Sequence, residues 1–279
     1  MTYLLRHSYC IIFFGRGETA GPGRLDCGLA ALGAGENLFS LPMGYAIIEP
    51  MKRNPLTKQS IRLHIAMAAI CLLVFGFVAW QVKTHDVLAF DTTIRQWFYG
   101  LRSELTNPIG IVITYLGNWQ TIVSLVGILL MLPATRIRMG LPVAVTAGVS
   151  TGLYKVLKML FGRPRPDQAL HLVTESGLSF PSGHSMNGLV AYGMIIWLLH
   201  RYYWDRAWAK IISALLAVLI FAIGLSRIFV GVHYPSDVAG GWSFGFGFLS
   251  LATLLWEAGL PPKKEGSTRS ESRTSSSCN

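Results

Sequence analysis

Five side chains of this sequence could do chemistry together: Lys158, Arg165, His184, Arg227 and His233. His233 stands four residues before Asp237. A carboxylate that accepts a hydrogen bond from one ring nitrogen leaves the other nitrogen free as a nucleophile. His184, from a separate segment, can protonate a leaving oxygen and then act as base towards water. Attack by His233 on phosphorus would give a phosphohistidine, which that water hydrolyses. Lys158, Arg165 and Arg227 repel one another unless an anion gathers them. A phosphate does so, with several oxygens for the ammonium and the forked guanidinium donors. The same cations would stabilise the equatorial oxygens of a transferring phosphoryl group. Ser182 can cap a helix that starts near His184, and Ser236 stands just before another helix. Helix N-termini present unpaired N–H groups to anions. Gly183 leaves room for close backbone approach.

The elements that must position these residues are apolar. Apolar residues make up 52% of the chain and charged residues only 14%, and long apolar runs recur from Ile61 to Leu260. That composition predicts an all-α polytopic membrane protein. Six spans are expected, near Leu63–Val82, Trp119–Ala134, Leu141–Leu160, His184–Leu199, Ile211–Phe229 and Asp237–Leu255. Each approaches the length that crosses about 30 Å of hydrocarbon. Gly117, Asn118 and Gln120 interrupt the start of the second, so Pro108–Leu116 is either part of it or a separate shallow helix. Between the first two spans, Phe90, Ile94, Trp97, Phe98 and Leu101 form one helical face, with Asp91 near its start. That pattern predicts an interfacial helix.

Basic residues orient the spans. Lys52, Arg53, Lys58 and Arg62 precede the first, and Arg136 and Arg138 lie between the second and third. Arg201, Arg206 and Lys210 lie between the fourth and fifth, and Lys263, Lys264, Arg269 and Arg273 follow the sixth. The positive-inside rule puts both termini in the cytoplasm. The reactive residues then converge on the outer face, at the outer ends of spans three to six. Charged groups at the bilayer centre cost about 2.5–3.5 kcal/mol each on insertion scales. Lys158, Arg165, Arg227 and Asp237 therefore belong in a polar cavity rather than against lipid. The formal charge of +10 is explained by this orientation. No basic stretch is interleaved with aromatics as a nucleic-acid groove requires, so no nucleic acid is expected. Cys10, Cys27, Cys71 and Cys278 have neither metal nor redox spacing. Neither a metal nor a cofactor is expected.

Three clusters carry a resemblance. Lys158, six residues, Arg165 and Pro166 form the first. Pro181-Ser182-Gly183-His184 is the second. Ser226 and Arg227, five residues, His233, three residues and Asp237 form the third. In order and spacing they resemble the three signature motifs of the type 2 phosphatidic acid phosphatase superfamily, over roughly residues 51–260. The resemblance implies His233 as nucleophile, Asp237 as its orienter and His184 as acid and base. It implies that Lys158, Arg165, Ser182, Gly183 and Arg227 hold phosphate. Lys155 and Arg163 fall outside the motifs. Arg163 is expected at the pocket mouth or on lipid head groups, and Lys155 has no assigned role.

The expected activity is metal-independent hydrolysis of a membrane lipid phosphate or pyrophosphate. The bacterial membrane members that the chain resembles act on undecaprenyl diphosphate, phosphatidylglycerophosphate or phosphatidate. An outer-face site favours undecaprenyl diphosphate, a lipid left over from exported cell-wall units. A vanadium haloperoxidase, holding vanadate on His233, and an inactive lipid-binding homologue are the remoter alternatives. The lipid substrate and the bilayer are the expected partners, and the expected location is the inner (plasma) membrane. Residues 1–50 are Gly-rich, unlike the rest, and read as an extension before a natural start at Met51. Residues 261–279 read as a disordered tail.

Overall fold

The computed structural model describes residues 57–85 and 87–259. The extension expected at 1–50 and the tail expected at 261–279 lie outside the described residues. Among the described residues there are eight α-helices and no strand: α1 (Lys58–His85), α2 (Ala89–Gly100), α3 (Thr106–Tyr115), α4 (Trp119–Met131), α5 (Leu141–Phe161), α6 (Gly183–Tyr203), α7 (Ala207–Phe229) and α8 (Pro235–Gly259). A π-helical turn, Arg136–Gly140, leads into α5.

Helix α6 is the centre of the bundle and packs against α5, α7 and α8, while α1 lies along α8. The shared core is aliphatic, with Val143, Leu189, Val190, Met194, Leu198 and Ile223 all buried. A second, aromatic core sits beside it. Phe75 stacks on Phe180 with ring centroids 5.8 Å apart, and Phe161 meets Phe180 edge-on at 4.9 Å. Outward residues of α1 such as Leu63, Leu73, Phe77 and Trp80 are exposed, which is the surface a bilayer covers.

Four helical segments are long and apolar enough to cross a membrane: α1, the π-turn with α5, α7 and α8. Helices α3 and α4 meet that standard only as a bent pair, 50° apart at the break. The second span expected at Trp119–Ala134 is thus only the 13-residue α4, and the segment at Pro108–Leu116 is a separate helix, α3, divided from it at Leu116–Asn118, where Gly117 and Asn118 interrupt the apolar run. Helix α6 fills the position of the expected span His184–Leu199 but is not among the segments apolar enough to cross alone. Its His184, Ser185 and Asn187 near the start and His200 and Arg201 near the end lower its hydropathy, and its neighbours cover most of it. Helix α2 forms where the interfacial helix is expected. Phe90, Ile94 and Trp97 are exposed on it, as is Leu101 at its C-cap, and Asp91 is fully buried on the other side; Phe98, expected on the exposed face, packs inward against Phe229, Val230 and Val232.

Local signals set the helix ends at one pole of the bundle. Helix α5 stops at Gly162, whose φ of 63° is left-handed and whose N–H donates to the Lys158 carbonyl at 3.0 Å. Pro164 and Pro166 then forbid its continuation. Helix α6 starts after the N-cap Ser182, and α8 has Pro235 at its first position. The C-termini of α5 and α7 and the N-termini of α6 and α8 thus meet at one end.

Candidate active site

The three clusters converge at that end. The peptide N–H of Ser182 donates to the carbonyl of Asp237 at 3.0 Å, joining the second cluster to the third through backbone. His233 lies in the turn between α7 and α8, and Asp237 lies in the first turn of α8. The two residues and Arg227 are each 1% exposed or less. His233 Nδ1 is 3.2 Å from Asp237 Oδ2. The same carboxylate oxygen accepts from the Tyr234 N–H at 2.8 Å and from the Ser179 hydroxyl. With Nδ1 turned to Asp237, Nε2 faces the cations, and Arg165 Nη1 lies 3.2 Å from it. Burial first, and then the cations Arg165, Arg227, Lys158 and Arg163, hold the His233 imidazole well below its ordinary value. Those influences favour the neutral ring that a nucleophile requires.

The three expected phosphate cations surround this dyad. Arg165 also donates to the carbonyls of Val232 and Gly177, at 3.0 and 3.2 Å. Lys158 reaches the Leu178 carbonyl at 2.5 Å and lies 5.0 Å from the centre of the Tyr154 ring. Arg227 donates through Nη1 to Thr114 Oγ1 at 2.6 Å, while its Nε is buried with no hydrogen-bond partner. Ser182 accepts from the Ser185 hydroxyl at 3.0 Å and caps α6 as expected, so its side chain is already engaged. A Cβ at Gly183 would meet the Tyr154 ring at 2.6 Å, so the absent side chain also makes room for that ring. His184 is half-buried, and its Nε2 is 2.5 Å from Asn118 Oδ1. Ser226 bonds back to the Ile223 carbonyl in its own helix and takes no part.

Two side chains contradict or exceed the sequence reading. Arg163 does not lie at the mouth of the pocket. It is 3% exposed, and it pairs with Asp237 Oδ1 at 2.6 Å and with Asp91 Oδ2 at 3.0 Å. The left-handed turn at Gly162 points it inward, where two carboxylates need a guanidinium. Glu175, in the connection between α5 and α6, was not foreseen. Its Oε1 accepts from Arg227 Nη2 at 2.5 Å and its Oε2 from Arg165 Nη2 at 3.4 Å. One carboxylate thus bridges two of the three cations. Asn118 and Thr114, both from the broken span, and Ser179 are further polar neighbours that the three motifs do not include. Lys155 stays on the exposed side of α5.

A neutral histidine backed by a carboxylate, faced by clustered cations and flanked by a second histidine, fits transfer of a phosphoryl group to nitrogen. Comparison with known proteins agrees. The family model described as PAP2 superfamily matches residues 139–259, which include all three clusters. Phosphatidylglycerophosphatase B of Bacillus subtilis (strain 168) is 34% identical over 176 residues, covering 62% of this chain and 86% of that protein. Undecaprenyl-diphosphatase of Sulfolobus acidocaldarius is 27% identical over 203 residues, covering 70% and 93%. The crystal structure of a transmembrane PAP2-type phosphatidylglycerolphosphate phosphatase from Bacillus subtilis has a TM-score of 0.62 at 31% identity. It covers 68% of this chain and 96% of that one.

Proposed function

The chain belongs to the PAP2 superfamily and is a multi-pass membrane phosphatase acting on lipid phosphates; from that premise we propose that it cleaves its substrate through a phosphohistidine on His233. The observation that carries this reading is the pair His233–Asp237, with Nε2 directed at the cations and Nδ1 at the carboxylate.

In the first step His233 Nε2 attacks phosphorus, the N–P bond forms, and the bond from phosphorus to the leaving oxygen breaks. Lys158, Arg165 and Arg227, with the backbone at Ser182 and Gly183, carry the charge of the equatorial oxygens. Asp237 accepts a hydrogen bond from Nδ1–H and steadies the cation that develops on the ring. His184 protonates the leaving oxygen. A proton on its Nε2 would point at Asn118 Oδ1, 2.5 Å away, and the leaving oxygen would replace Asn118 as its acceptor. In the second step His184 removes a proton from water, the water oxygen bonds to phosphorus, and the N–P bond breaks.

The catalytic unit is taken as 51–260. Six passes, with both termini cytoplasmic and the site on the outer face of the inner (plasma) membrane, agree with the basic-residue pattern and with the clustering of reactive residues at one pole. The scissile phosphate then meets the pocket at head-group depth while the lipid tail stays in the bilayer. Lifting the lipid out would forfeit about 0.8 kcal/mol per CH₂ exposed. An outer site favours undecaprenyl diphosphate as the substrate. The similarity to phosphatidylglycerophosphatase B favours phosphatidylglycerophosphate as the second reading. Phosphate release from these two lipids and from phosphatidate, compared as kcat/KM in one detergent, tests both. A polyprenyl rate far below both glycerolipid rates refutes the first substrate. No release from any lipid phosphate refutes the mechanism.

A further inference from the structure

Asp91 lies on α2, outside the segment that matches the family model. It is fully buried in a chain with only 14 acidic residues. A carboxylate taken out of water costs several kcal/mol unless it is paired and hydrogen-bonded, so its partners are informative. Oδ1 accepts from the Ser236 N–H at 2.8 Å. Oδ2 accepts from the Ser236 hydroxyl at 2.7 Å and from Arg163 Nη2 at 3.0 Å. It is also 3.3 Å from the Leu88 N–H. Arg163 is thereby fixed from behind, and its plane lies over the Tyr234 ring at 4.1 Å. Its other nitrogen, Nη1, bonds the Ser236 hydroxyl at 2.8 Å and Asp237 Oδ1 at 2.6 Å.

The two oxygens of Asp237 therefore have separate duties. Oδ2 faces His233 Nδ1, and Oδ1 is held by Arg163. A carboxylate gripped at one oxygen cannot rotate about its bond without breaking that grip, so the hydrogen bond to His233 keeps its direction. A fork of N–H donors can hold both acids at once, and an ammonium cannot.

We infer that Asp91 and Arg163 are positioning residues for the His233–Asp237 pair, and that Asp91 carries that restraint to α2. The inference rests on the phosphatase reading above. The outer face of α2 exposes Phe90, Ile94 and Trp97. The surface that seats α2 on lipid and the carboxylate that orients the nucleophile are thus joined by two bonded side chains.

The test uses the full chain purified in detergent, with a lipid phosphate that the wild type turns over. Asp91→Asn, Asp91→Glu and Arg163→Lys are compared with His233→Ala and with Glu257→Gln. The last variant breaks the Arg201–Glu257 ion pair, 3.2 Å long, at the opposite end of the bundle. Asp91→Asn and Arg163→Lys are expected to lower kcat tenfold or more with KM changed less than threefold. Asp91→Glu should recover part of the loss. Glu257→Gln should lower the melting temperature while kcat stays within twofold. Wild-type kcat in folded Asp91→Asn overturns the inference. So does a rise in KM at unchanged kcat, which would assign the pair to substrate binding. So does a kcat loss in Asp91→Asn no greater than that in Glu257→Gln at equal loss of melting temperature. If Arg163→Lys fails to fold, the isosteric Asp91→Asn still decides. Persistent activity in His233→Ala would instead refute the underlying phosphatase reading.

Discussion

Glu175 should compete with the phosphate proposed to bind in the pocket. Its side chain is 25% exposed, while Arg227 and Arg165, which it bridges, are 1% and 8% exposed. A phosphate entering between the two guanidinium groups seeks the same N–H donors. Hydrogen bonds to charged groups contribute about 1.5–3 kcal/mol net. The Glu175→Gln substitution keeps the size and one acceptor but removes the charge. If it forfeits about 1.5 kcal/mol of hold on the two arginines, the phosphate gains about tenfold in affinity. The unliganded protein should lose stability at the same time, because Arg227 then lacks its counter-charge. Inorganic phosphate should therefore inhibit Glu175→Gln at about one-tenth of the wild-type concentration. It should also raise the melting temperature of the variant more than that of the wild type. An inhibition constant within twofold of wild type, or a higher one, would refute the competition and make Glu175 part of the liganded pocket.

His233→Ala should abolish both turnover and phosphoenzyme, whereas His184→Ala should slow both transfer steps; activity should persist in a chelator, because the proposed phosphate cations are side chains. Rapid-quench trapping of the phosphoenzyme checks all three, and a strict need for added divalent metal would count against the mechanism. Acid should destabilise the fold through His233. Its folded pKa lies below the ordinary 6.5, so below that pH the unfolded chain binds a proton that the native ring does not, and stability falls as pH drops. Melting temperatures from pH 7.5 to 5 should fall less steeply in His233→Gln than in wild type, and identical slopes would contradict this. In a background lacking the native cysteines, Ala169→Cys should react with an impermeant thiol reagent outside intact cells. Ser267→Cys should react only after the membrane is opened, and the opposite pattern would move catalysis to the cytoplasmic face.

The reactive residues were legible because each cluster is short. His233 and Asp237 are four residues apart across one helix start, so their pairing follows from local geometry. Lys158 and Arg165 are brought together by a single helix end at Gly162. The residues that hold them were not legible, because their partners are distant in sequence. Arg163 meets acids 72 and 74 positions away, and spacing carries no information about such pairs. Asn118 reads as a flaw in an apolar span, although in the fold it faces His184. Asp91 did leave a signal, being a lone acid on an otherwise apolar helical pattern in an acid-poor chain. Nothing local marks Glu175, which acts from an irregular connection between α5 and α6. The bent second span was visible only as an irregularity, since Gly117 and Asn118 signal a break but not its 50° angle.

The polar character of α6 has a consequence for biogenesis. A segment that carries Ser185, Asn187 and His184 in its first two turns gains too little from hydrocarbon to leave the insertion machinery alone. Its successor α7 is strongly apolar, and only the three residues between Tyr203 and Ala207 separate the two helices. The pair can therefore enter as a hairpin, with α7 supplying the hydrophobic drive and α6 carried along. Until α8 emerges from the ribosome to cover its remaining side, α6 would present polar groups to lipid. The helix that carries the proposed acid and base, His184, is thus the one whose arrival in the membrane depends most on its neighbours. A nascent chain halted before Pro235 should be a substrate for membrane quality control.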